Sequence, residues 1–191
     1  MKQSLIMASL YSLLSGVFSS GAAAQGYKVA EEYTGLRNMV LTTKPEAVGL
    51  KPAAGKVWGI LMETGYPEAV VSLVALADST VSIYFSNGGG IIGLGQHPGP
   101  QRATKAFIAH AQQYSKHGVK TEKYPLPVPS HTRFYFFTGS GVTSVEAIEN
   151  DLGNGRHEMS PLFHKGHELI SEIRAVDEKL RAEQGAPGAA P

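Results

Sequence analysis

Cysteine is absent from this sequence and tryptophan occurs once. The first absence removes disulfides, thiolate nucleophiles and cysteine-bound zinc, and it is compatible with any compartment. An excess of charge is lacking too: 17 Lys and Arg stand against 16 Asp and Glu, a formal net charge of +1. With no broad positive field, nucleic-acid binding is not expected. No apolar run is long enough to span a bilayer. Neither H-E-x-x-H nor G-x-S-x-G occurs, so the chain spells out neither a zinc-peptidase helix nor a nucleophile elbow. What is present is a 42% hydrophobic chain of 191 residues with 22 glycines. That composition suits one folded body with many turns, not a disordered or coiled-coil chain.

The two ends read differently from the body. In residues 1–24, Lys2, an apolar stretch and Ala22-Ala23-Ala24 fit a secretory signal cleaved near Ala24. On a helix, however, Ile6, Leu10, Leu13, Leu14, Val17 and Phe18 form one stripe, with Ser4, Ser12, Ser15 and Ser19 opposite. The serine-lined face favours a retained amphipathic helix in the cytoplasm, touching a membrane surface or a partner through residues 4–19; export after cleavage is the alternative. Residues 183–191, "EQGAPGAAP", read as a disordered tail. The single domain is then expected over residues 25–182.

Inside it, Leu36, Met39 and Val40 mark a short helix, and "TTKPEAVGL" a helical turn with Pro45 at its start and Gly49 at its end. Period-two patterns predict strands over 57–63, 69–77 and 80–86. Residues 101–116 restore helical spacing, and the proline-rich "KYPLPVPS" is a loop. Strands over 133–138 and 142–149 flank "GSG", a hairpin signal. Ser160-Pro161 opens a last helix along Leu162, Phe163, Gly166, Leu169, Ile170, Ile173, Val176 and Leu180. The expected fold is α+β in the order α-βββ-α-ββ-α: a five-stranded antiparallel sheet with helices on one face.

That order resembles the type III secretion chaperone-like fold and, less closely, profilin-like and roadblock-like folds. The stretches "VWGILMETGYPEAVVSLVALAD", "SIYFSNGGGIIG" and "GRHEMSPLFHKGHE" resemble a family of uncharacterised bacterial proteins, which implies no activity and no site residues.

Three features bear chemistry. Gly88, Gly90 and Gly93 stand at G-x-G-x-x-G spacing, but without the β-α-β setting of a dinucleotide fold, so the primary reading is a chain reversal with Ile91 and Leu94 folding back on the core. Loop amides, the following helix N-terminus, His97 and Arg102 would alternatively make an anion site. His164 and His167, near His157, have a metal-compatible spacing on the last helix; packing is the favoured role, and no metal or other cofactor is expected. Glu63, near Tyr66 and Glu68, ends an apolar strand and is read as a turn residue. Trp58, Tyr84, Tyr135 and Phe137 would stack bases only from an open sheet face. The function expected is a non-catalytic adaptor or chaperone-like module that binds a protein partner or its own copy. A small ligand-binding or enzymatic domain using the glycine loop is the alternative.

Overall fold

The computed structural model describes residues 29–185; the readings of residues 1–24 and of the last residues of the tail lie outside them. The fold is α+β: the described residues form four α-helices and an antiparallel sheet of seven strands. Helix α1 (Glu31–Thr42) is followed by a 3-10 turn at Pro45–Val48. The strands β1 (Val57–Gly65), β2 (Val70–Leu76), β3 (Val81–Phe85) and β4 (Gly90–Ile92) come next, then helix α2 (Pro98–Tyr114). Strand β5 (Val119–Lys120) precedes β6 (His131–Thr138) and β7 (Gly141–Ile148), and α3 (Glu149–Gly153) and α4 (Ser160–Gly185) close the order. In space the strands run β4-β3-β2-β1-β6-β7-β5.

Two expectations are corrected. The sheet has seven strands, not five, because short strands β4 and β5 add themselves to its two edges. Helices cover both faces, not one. Phe107 and Ala111 of α2, Leu152 of α3 and Leu162, Leu169 and Ile173 of α4 pack with Ile60, Leu73, Phe134 and Phe136 on the first face. On the second, Tyr33, Val40 and Leu41 of α1 pack with Trp58, Leu61, Val74, Tyr84, Tyr135 and Phe137. Cover on both sides explains why every residue of β1 and β2 is buried. It also places the four aromatics considered for base stacking on one face, beneath α1 and the 121–130 loop.

Local chemistry sets the joints. Gly49, in the left-handed region at φ 73°, ends the Pro45 turn as expected. The β2–β3 turn instead holds a serine there: Ser79 has φ 76°. A Cβ at Gly95 would collide with the Ser79 carbonyl oxygen, so the segment entering α2 and this turn touch backbone to backbone. Helix α4 continues to Gly185, into the segment read as tail. Among the described residues no helix is long and apolar enough to cross a membrane.

Candidate functional site

The glycine stretch folds as a hairpin. Gly88 has φ 98° at the tip, its N–H donates to the Phe85 carbonyl (2.9 Å), and Phe85 N–H donates to the Gly89 carbonyl (2.8 Å). Gly90 lies in β4 opposite Tyr84, where a Cβ would sit 2.6 Å from the Ile83 carbonyl oxygen. Ile91 and Leu94 pack on the main core. Gly93, at φ 85°, precedes the 3-10 turn Leu94–Gln96, and His97 caps α2 without a side-chain hydrogen bond.

Beyond His97 the helix start offers little to an anion. Pro98 and Pro100 have no N–H, and Gln101 N–H is spent on the His97 carbonyl (2.9 Å). The Glu172 carboxylate lies against Gly99, and the Glu32 carboxylate lies 3.7 Å from where a Gly88 Cβ would be. Arg102 is exposed on α2. The hairpin tip and the helix start thus each face a carboxylate, which repels an anion.

The histidines of α4 also separate. His157 belongs to the helix entry, its Nδ1 accepting from Met159 N–H (3.1 Å). His164 and His167 both contact the Phe163 ring, at centroid distances of 5.9 and 4.3 Å. His167 is 5% exposed, and neither ring nitrogen has a hydrogen-bond partner among the described residues. Burial, with His164 adding to it, pushes its pKa down to about 4, so the ring is neutral near pH 7. Among the described residues no group of three or more His, Cys, Asp or Glu is placed to hold a metal ion.

Glu63 is the largest surprise: it is no turn residue. It sits within β1, between Ser72 of β2 and Arg133 of β6, with no exposure. Arg37 of α1 forks onto it, Nε to Oε1 and Nη2 to Oε2, both at 2.8 Å. Ser72 Oγ donates to Oε1 (2.8 Å), as does the Tyr33 hydroxyl (3.2 Å). Arg37 Nη2 also donates to the Tyr124 carbonyl (2.9 Å), tying in the 121–130 loop. Register extends this into a polar row across five strands: Tyr84, Ser72, Glu63, Arg133 and Glu146. Arg133 and Glu146 form an ion pair at its far end.

The electrostatics follow from this burial. Burial alone would lower the Arg37 pKa, but the Glu63 hydrogen bonds and charge prevail and hold it above its usual range. Burial, then the Glu63 charge, raises the Tyr33 hydroxyl well above its usual range and pushes Tyr135 up to about 12. Both phenols stay protonated, and the carboxylate is saturated with donors. The cluster anchors α1 to the sheet; it does not present a base to a substrate.

A scan of family models, a search of curated proteins and a search of solved structures each return no match to this chain.

Sequence reasoning missed Arg37, Tyr33 and Ser72 as partners of Glu63. The available signal was Arg37 itself, placed one residue past Leu36 in a helix whose apolar stripe it shares.

Proposed function

We propose that this chain is a non-catalytic protein-binding module, of the adaptor or chaperone-like kind, that takes an extended segment of a protein partner onto an edge of its sheet. The observation that carries this reading is the incomplete cover of β7. That strand spans Gly141–Ile148, yet β5 meets it only where Val119 and Lys120 face Ser144 and Thr143. Thr121 N–H bonds the Val142 carbonyl; the two-residue alternation of an antiparallel ladder turns both backbone groups of Glu146 and the N–H of Ile148 toward the same edge, the Ile148 carbonyl serving the start of α3. Apolar side chains flank it, Val119 being 75% exposed and Ile148 47%. A strand added there takes its affinity from main-chain bonds and its specificity from side chains seated beside Ile148 and Val119.

Selection from a displayed random-peptide library tests this. Bound peptides are expected to alternate apolar and polar residues, to slow amide exchange at Glu146 and Ile148, and to bind Ile148→Lys at least tenfold more weakly. A second copy on the same edge would give a concentration-dependent dimer in light scattering, dissolved by the same substitution. Peptides that bind both proteins equally and leave those amides unprotected would refute the reading.

A further inference from the structure

The structure holds a cleft of about 220 Å³ between α2 and the β2–β3 turn, on the opposite side of the sheet order from β7. Its walls are apolar where Leu76, Ile108 and Ala109 line it, and two cations, Lys56 and Lys105, also line it. Both lysines are exposed, and among the described residues neither ammonium is in an ion pair.

Ser79 makes this more than a groove beside two surface charges. It lines the cleft and is only 8% exposed, yet its hydroxyl makes no hydrogen bond among the described residues. It also holds a left-handed φ of 76°, where glycine is the usual occupant and a serine costs conformational energy. Its position is fixed: Ser79 N–H donates to the Leu76 carbonyl (3.0 Å), and its own carbonyl abuts Gly95. The neighbouring hydrogen-bonding groups are already engaged. Asp78 accepts from the amide and hydroxyl of Thr80, both at 2.8 Å, and Thr104 donates to the Pro100 carbonyl at 2.8 Å.

We propose that this cleft binds a small organic carboxylate with an apolar body. The tail lies on Leu76, Ile108 and Ala109. The carboxylate takes the charge of Lys56 and Lys105 and accepts a hydrogen bond from Ser79 Oγ. The volume is below the ~300 Å³ at which pockets for drug-sized ligands begin, which suits about ten non-hydrogen atoms. The site is independent of the β7 edge, so either reading can fail alone.

Octanoate is the probe, with octanol and inorganic phosphate as controls, followed by amide chemical shifts and calorimetry on the full chain. Octanoate is expected to saturate, shifting Ser79, Lys105 and Ile108, and to bind at least tenfold more tightly than either control. The double variant Lys56→Gln/Lys105→Gln should lose at least tenfold in affinity. Ser79→Gly is the sharper test, because glycine suits the positive φ: folding stability should hold or rise while octanoate binding weakens several-fold. Equal binding of octanol, equal binding of phosphate, unchanged affinity in the double lysine variant, or no saturable binding at millimolar octanoate would each overturn the proposal.

Discussion

The buried His167 ring makes stability depend on pH in a calculable way. Its ordinary pKa of 6.5 falls to about 4 in the fold. Between those values the unfolded chain binds a proton that the folded chain refuses, so the contribution is complete above pH 6.5 and is lost as pH falls toward 4. A gap of roughly 2.5 pH units at about 1.36 kcal/mol each corresponds to about 3 kcal/mol in total, of which about 2 kcal/mol is lost between pH 8 and pH 5. Urea unfolding across that range measures it, with His167→Leu as the reference that cancels every other titrating group. The variant should lack this step. At pH 8 it should match or exceed the wild type by about 1 kcal/mol, since two buried ring nitrogens without partners are removed. Parallel pH profiles for the two proteins would refute the assignment of a neutral, unsatisfied ring.

The Arg37–Glu63 pair gives a second test: Arg37→Met and Glu63→Leu should each cost about 3–5 kcal/mol by stranding the buried partner, and the double variant should cost much less than their sum in a denaturation cycle. Additive costs would show that the pair is not coupled. Gly95→Ala, whose new methyl meets the Ser79 carbonyl, should destabilise by about 3 kcal/mol in thermal unfolding, whereas Gly93→Ala, with open space around it but φ 85°, should cost about 1 kcal/mol. Equal losses at the two sites would remove the backbone contact from the account.

Much of the architecture was legible because it rests on local chemistry. The Pro45 turn, the Gly139-Ser140 hairpin and the α4 stripe each carry their own signal, and each forms. The edge strands do not: Gly90–Ile92 hides among glycines, and Val119–Lys120 is too short to show a period. The second helical layer was readable in principle. "VVSLVAL" is apolar at six of its seven positions, the mark of a strand covered on both sides, whereas a strand with one wet face alternates. Glu63 stands out in the sequence as a carboxylate at the end of an apolar strand, but its reading as a turn residue fails because it lies within β1 and is fully buried. Its partners lie 9, 26 and 30 residues away along the chain, and only the assembled sheet brings them together. The cleft at Ser79 left still less trace, since a positive φ at serine has no sequence signature.

The ion pair beneath α1 also acts as a positional key. Apolar contacts tolerate sliding, because one methyl replaces another at little cost; a forked guanidinium on a single carboxylate does not. Moving α1 by one turn, about 5.4 Å, would carry Arg37 off Glu63 and leave a buried carboxylate in the middle of the sheet with no cation, held by Ser72 alone. No half-docked position is therefore comfortable for this helix. The part of the aromatic face that α1 covers is sealed in one alignment only.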